Sequence, residues 1–158
     1  MLRASVWIAV ASLLALGCSE DPLEPSSVDH SIPSRTVGQL LSSPGTLWIG
    51  TTPLTLWVSL GRSQHGGLGG AAILEATPSA PLGSISDVYL WVIRDRSEVW
   101  ASSMSYYDPT PTGGAAYQAA TGPQWDIGTH VDAVVGIRTG SDLVRYALVR
   151  DIPIISIE

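Results

Sequence analysis

The chain lacks three residue types altogether: lysine, phenylalanine and asparagine. Without lysine there is no Schiff-base residue and no P-loop cation, and without asparagine there is no acceptor for N-glycosylation. The single cysteine, Cys18, cannot form an internal disulfide. Charged residues make up only 14% of the 158 residues, and eight arginines against fourteen acidic residues give a formal net charge of -6. We expect no nucleic-acid partner, because the neutralisation of phosphates needs basic patches.

The first eighteen residues, MLRASVWIAVASLLALGC, combine Arg3 with an uncharged run over residues 6–16. This run is shorter than the roughly 20 residues that a membrane-spanning helix needs, and it suits the apolar region of a secretory signal peptide. It leads directly to the only cysteine, Cys18. The segment ALGC at residues 15–18 resembles the lipobox of bacterial lipoproteins. That resemblance implies that residues 1–17 are removed and that Cys18 is lipidated, which anchors the mature chain in a membrane.

The same resemblance implies a location in the cell envelope. Ser19 follows Cys18, in place of the aspartate that retains lipoproteins in the inner membrane of bacteria with two membranes, so the outer membrane is expected. The alternative is an ordinary secretory signal peptide that leaves Cys18 as a free thiol. Removal of residues 1–17, whose one charged side chain is Arg3, leaves seven arginines against fourteen acids and a formal charge of -7.

The chain divides by composition into three parts. Residues 19–35 are rich in proline, serine and acidic residues and poor in large apolar groups, a composition that cannot bury enough surface to offset the entropy of ordering. We therefore predict a signal peptide over 1–17, a flexible lipid-anchored tether over 18–45, and one folded domain over 46–158.

From residue 46 onward, apolar and polar residues alternate with the period of β-strands. Strands are predicted at residues 46–49, 54–60, 71–76, 85–94, 97–106, 131–138, 142–149 and 152–157, with a further short strand near Tyr117. No amphipathic run of helical length occurs, so the class is all-β. The segment from Gly122 to Ile157 resembles the closing hairpin of an immunoglobulin-like or fibronectin-III-like domain, which implies a single antiparallel β-sandwich of about seven to eight strands.

An aromatic hairpin is the strongest pair of predicted strands. A tight turn at residues 95–96 pairs Trp91 with Trp100. In this register the larger side chains share one face, which holds Tyr89, Trp91, Trp100 and Met104. Exposed apolar patches usually mark interaction sites, so Tyr89, Trp91 and Trp100 are candidate ligand-binding residues for a glycan or a protein. The alternative is that both faces of the hairpin are covered and the rings belong to the core.

Chemistry-bearing motifs are few. Asp126, His130 and Asp132 form a D-x3-H-x-D pattern at the start of a strand, and imidazole with carboxylates suits zinc. Three ligands on one short segment need support from elsewhere, so we treat them as weak candidates and expect no metal. No serine lies in a G-x-S-x-G elbow, and the glycine pattern at residues 67–72 lacks the following helix that dinucleotide binding needs. We expect no cofactor and no catalytic residue.

Three functions remain open on the sequence. The first is a non-catalytic, membrane-anchored exported lipoprotein with a binding, adhesion or envelope-structural role. The second is a carbohydrate- or peptidoglycan-binding module that uses an aromatic sheet face. The third is a small exported hydrolase or metal protein built around His130. The pattern favours the first, because no complete catalytic or metal-binding set is visible.

Overall fold

The structure, a computed structural model, describes residues 32–63, 66–77, 82, 85–111 and 113–158. Within these ranges the chain is almost entirely β, with one five-residue helix, α1, over Val37–Leu41. The strands are β1 (Leu47–Ile49), β2 (Thr52–Arg62), β3 (Leu68–Ala76), β4 (Ile85–Arg94), β5 (Glu98–Pro109), β6 (Ala115–Ala119), β7 (His130–Thr139) and β8 (Ser141–Ser156). No helix in the part of the chain that the structure describes is both long and apolar enough to cross a membrane.

The strands form one sheet that closes on itself. Their order is β1-β2-β3-β6-β5-β4-β7-β8, and β8 also pairs in parallel with β2, where Leu60 lies opposite Ile154. This pairing closes β2 through β8 into a seven-stranded barrel, while the short β1 pairs with the start of β2. The all-β class is confirmed. The predicted immunoglobulin-like sandwich is wrong, because a sandwich leaves its two sheets unjoined at such a seam.

Two long strands close the barrel by changing partners along their length. β5 pairs with β4 as far as Met104 and with β6 from Ser105 onward. β8 pairs with β7 over most of its length and reaches β2 with residues 154–156. Alternation of apolar and polar residues is the same in a barrel and in a sandwich, so the sequence pattern alone cannot distinguish them.

A β-bulge lies where the sequence predicted a break between two strands. Asp151 has a φ of 58°, and the register of β7 against β8 shifts between Val131 and Ala133. A bulge bends a strand and increases its twist without ending it. The predicted strands at 142–149 and 152–157 are therefore one strand, β8.

Side chains from every strand of the barrel fill its interior, as expected for so few strands. The fully buried members include Leu60, Leu68, Leu74, Leu90, Val92, Val135, Ile137 and Ile154. The loop over residues 120–129 contributes the buried Trp125 to this core. The carbonyl of Trp125 accepts a hydrogen bond from Arg62 Nη1 at 2.9 Å, and the Arg94 guanidinium lies 5.0 Å from its ring centre.

The β4–β5 hairpin has a register one residue away from the predicted one. Arg94 pairs with Glu98 across a three-residue turn, and Trp91 consequently lies opposite Ala101. Because successive side chains point to opposite faces of a strand, this shift places Trp91 and Trp100 on opposite faces of the sheet. The prediction of one shared aromatic face is therefore wrong. Trp100 packs against the barrel interior, and Trp91 points outward.

A second hydrophobic cluster lies outside the barrel, beneath residues 32–41, which we call the strap. Thr36 and Gln39 form a capping box that begins α1. From α1, Leu40 packs against outward side chains of β4, β7 and β8, and the buried cluster comprises Leu40, Tyr89, Trp91, Ile93, Val134 and Leu148. The strap thus covers the outer face that Trp91 shares with its neighbours.

Polar contacts also hold the strap. The Arg35 guanidinium lies 4.6 Å from the Tyr146 ring centre, and Arg150 Nη2 donates to the Leu41 carbonyl at 3.1 Å. The sequence analysis assigned residues 18–45 to the tether, whereas the structure places its last part, residues 32–45, against the barrel. Within the part of the chain that the structure describes, both hydrophobic clusters consist of residues from Ile32 onward.

Candidate functional site

The aromatic residues proposed for ligand binding are distributed over two separate cores. Tyr89 is fully buried and Trp91 is only 3% exposed, both under the strap. The Trp91 ring lies 5.9 Å from that of Tyr89 and 5.6 Å from that of Tyr146. A Cβ added to Gly136 would lie 2.8 Å from the Trp91 ring, so this glycine provides the space for the indole. Tyr89 and Trp91 therefore present no exposed ring face to a ligand.

Tyr89 carries a buried hydroxyl that makes no hydrogen bond with the described residues. Burial, and secondarily the Asp87 carboxylate, raise the pKa of Tyr89 above its ordinary value of 10.0, while Arg138 partly opposes them. The folded protein thus holds this proton more tightly than the unfolded chain does. Stability from this group is complete at neutral pH and is lost as the pH rises above about 10.

Tyr89→Phe should raise the free energy of unfolding by about 1 kcal/mol, because phenylalanine keeps the ring and removes a buried polar group that has no partner. The gain should be larger at pH 10.5 than at pH 7, since the unfolded variant no longer ionises at this position. Urea unfolding at the two pH values measures both effects. A variant less stable than the wild type at pH 7 would show that the hydroxyl has a stabilising partner.

The weak metal candidates do not come together as a set. His130 and Asp132 line a small polar depression of about 110 Å³ at the β8 bulge, together with Asp151. Asp126 does not line it, and its carboxylate lies 3.9 Å from Arg62 Nη1 instead. Across the described ranges, no group of three or more histidine, cysteine, aspartate or glutamate residues is placed to hold a metal ion. Cys18, the predicted lipidation site, lies outside the described residues.

The bulge in β8 explains the hydrogen bonds between the residues around this depression. His130 Nδ1 lies 2.8 Å from Asp151 Oδ1, and the Asp151 amide donates to Asp132 Oδ1 at 3.1 Å. Arg150 Nη1 donates to the other oxygen of Asp132 at 3.3 Å. The sequence analysis missed Asp151, which the bulge brings within hydrogen-bonding distance of His130. A histidine oriented by a carboxylate is two parts of a catalytic triad, but the described lining includes no serine, threonine or cysteine as a nucleophile.

A larger groove of about 320 Å³ lies on the outer face of the barrel, and we call it the outer groove. Its floor consists of small residues at the ends of β2, β3 and β6, and its rim includes Ile155 and Ile157, each nearly half exposed. The described residues that line it are Ser59, Leu60, Gly61, Gly69, Gly70, Ala71, Gln118, Ala119, Ala120, Ile155 and Ile157, all of them uncharged.

The outer groove and the strap occupy different parts of the outer surface of the barrel. They meet the same strand only at β8, whose middle lies under the strap and whose end carries Ile155 and Ile157 on the groove rim. The strap covers β4, β7 and β8, with β7 at its centre, and the closed strand order places β3 across the barrel from β7. The groove is centred on β2 and β3. The glycines and alanines of residues 61–72 were visible in the sequence, but only the pairing of β2 with β3 and β8 makes them one surface.

No protein-family model matches the chain, and no curated protein matches it significantly.

Proposed function

We propose that this chain is an exported lipoprotein without catalytic activity, anchored in the membrane through Cys18, that serves a binding, adhesion or envelope-structural role. The observation that carries the proposal is the separation of two surfaces. The strap, which continues from the anchor segment, is docked over β4, β7 and β8, and an uncharged apolar groove is exposed over β2, β3, β6 and the end of β8. Exposed apolar surfaces of this kind usually mark interaction sites.

The position of the strap supports the anchoring role. Cys18 precedes Ile32 by fourteen positions, and a chain of that length reaches at most about 50 Å. The lipid would therefore keep the strap within about 50 Å of the membrane. A tether of that reach would leave the outer groove accessible to a partner.

The two other functions have less support. A carbohydrate-binding face built on Tyr89 and Trp91 would require the strap to leave the barrel, because both rings are buried beneath it. A hydrolase or metal protein around His130 would need a nucleophile or further ligands that the described lining of its depression does not supply. A lipid-anchored binding protein requires neither movement of the strap nor further residues around His130.

Cys18→Ser should move the protein from the membrane fraction to the soluble fraction if processing still occurs, or leave the signal peptide uncleaved. In both cases the lipidated mature N-terminus is lost, because serine has no thiol to accept the lipid. Cell fractionation with intact mass spectrometry of wild type and variant measures this. A wild-type N-terminus other than lipidated Cys18 would contradict the proposal.

A further inference from the structure

The first half of β8 has a free edge. Among the described strands, β8 pairs with β7 and reaches β2 only near its end. The Leu148 amide points away from β7, because it donates to the Pro44 carbonyl at 2.8 Å. Backbone groups in an antiparallel pair alternate in direction, and the register of β7 against β8 is regular through this segment. The N–H and C=O groups of Val144 and Tyr146 therefore also point away from β7.

β1 lies beside this edge without pairing to it. Among the described residues β1 forms a ladder with β2 alone, and its contact with β8 runs through a side chain. Arg145 Nη1 donates to the Trp48 carbonyl at 2.8 Å. A side-chain bond of this kind leaves the outward backbone groups of Val144 and Tyr146 without a ladder partner. Unpaired groups on a strand edge are where an extended peptide adds as a further strand.

The free edge lacks most of the features that protect strand edges, which are prolines, bulges and charges. Residues 143–148, LVRYAL, contain no proline and a single charge, on Arg145, and no bulge interrupts their pairing with β7 at residues 144–148. Exposed apolar side chains lie on both sides: Leu143 on β8 is 61% exposed and Trp48 on β1 is 48% exposed. The edge is thus regular and apolar around one central cation.

Charge identifies the partner. Arg145 lies between the two residues with free backbone groups, and the Arg35 guanidinium lies 4.6 Å from the ring centre of Tyr146. None of the ion pairs among the described residues includes either arginine. We propose that this edge of β8 binds an extended acidic peptide as an added strand. The main chain of the peptide bonds to Val144 and Tyr146, and β1 moves aside as Arg145 exchanges the Trp48 carbonyl for a carboxylate.

A second copy of this chain is a poorer partner for the same edge. Pairing of two identical edges through the free groups of Val144 and Tyr146 would place Arg145 opposite Arg145 of the other copy, because the contacts of a two-fold interface are self-complementary. Like charges directly opposite each other destabilise a strand pair. An acidic side chain at that position is attracted instead. The edge is distinct from the outer groove, and the proposal does not depend on the lipid at Cys18.

Amide exchange measured by NMR tests the proposal on a chain beginning at Ser19, which keeps every described residue and contains no cysteine. The probe is a hexapeptide of sequence TVEVTV with blocked ends. In the free chain, the amides of Val144 and Tyr146 should exchange faster than those of Arg145 and Ala147, which face β7. Excess TVEVTV should slow exchange at Val144 and Tyr146.

Two altered peptides are the matched controls. TVEVTV that is N-methylated at alternate residues has the same side chains but lacks the N–H groups of one edge, so it should give no protection. TVKVTV should bind at least about tenfold more weakly, because lysine replaces the carboxylate that Arg145 attracts. Equal protection by all three peptides, or none by TVEVTV, would overturn the proposal.

A pair of variants makes the same test from the side of the protein. Val144→Pro removes an N–H that faces away from β7, a position at which edge strands tolerate proline, and it should abolish binding of TVEVTV. Val144→Ala keeps the N–H and should bind like the wild type. Equal binding by both would contradict the added strand. Slow exchange at Val144 and Tyr146 in a free chain that sediments as a dimer would assign the edge to a second copy. If Val144→Pro does not fold, the N-methylated peptide still decides.

Discussion

Trp91→Ala should lower the free energy of unfolding by about 3–5 kcal/mol, the usual cost of deleting a large buried aromatic side chain. Trp91 is 3% exposed and lies between the barrel and the strap. Its ring contacts those of Tyr89 and Tyr146, and Gly136 leaves no Cβ that could fill the cavity. Urea unfolding followed by circular dichroism measures the loss.

Trp48→Ala provides the comparison for that experiment. This tryptophan is half exposed on the edge strand β1, and surface substitutions usually change stability by no more than about 0.5 kcal/mol. The two variants remove the same side chain from the same protein, so the difference between them reports burial. Similar losses for both would contradict the placement of Trp91 under the strap.

Leu40→Ala should lower the free energy of unfolding by about 2–5 kcal/mol, because Leu40 is the buried side chain through which the strap packs on the barrel. Gly38→Ala in the same helix should have the opposite sign. Gly38 is exposed and has no heavy atom near the added Cβ, so alanine should stabilise α1 by about 0.5–1 kcal/mol.

This pair of variants separates a docked strap from a loose tether. If residues 32–41 did not pack on the barrel, Leu40→Ala and Gly38→Ala would both leave the urea midpoint unchanged. A docked strap predicts a large loss for the first and a small gain for the second, measured under the same conditions.

The individual strands were largely predictable, because period-two alternation reports which residues face a core. Most of the predicted strands correspond to strands of the structure, although several boundaries moved. Their assembly was not predictable from alternation. It depends on β5 and β8, each of which pairs with a second strand along part of its length. No local sequence pattern shows which strand that second partner is.

Two local errors in the strand prediction changed the predicted assembly of the sheet and the predicted site. The predicted strands ended at residue 149 and began again at residue 152, so β8 was divided at Asp151, which lies in the left-handed region, and its pairing with β2 was not foreseen. A turn longer by one residue at Ser97 shifted the β4–β5 register, and in a strand a shift of one residue exchanges the two faces. The predicted aromatic surface of Tyr89, Trp91 and Trp100 depended on a shared face, and the observed register places Trp100 on the other face of the sheet.

The strap had a sequence signal that the composition of the tether obscured. Thr36 followed three residues later by Gln39 is a capping-box pattern, and Leu40 and Leu41 supply apolar side chains directly after it. A five-residue helix has too few residues to show a helical period. Its position on the barrel depends on which side chains of β4, β7 and β8 face outward together, and only the assembled barrel shows this.

The outer groove exists only if β2 and β8 join, so the most direct test of the account is NMR observation of that seam. In the parallel register, Leu60 to Arg62 lie beside Ile154 to Ser156. We expect nuclear Overhauser contacts between the amide and α-protons of these two segments, with slow amide exchange in both. Absence of these contacts, with fast exchange of both segments as free sheet edges, would contradict the barrel and return the fold to an open sandwich.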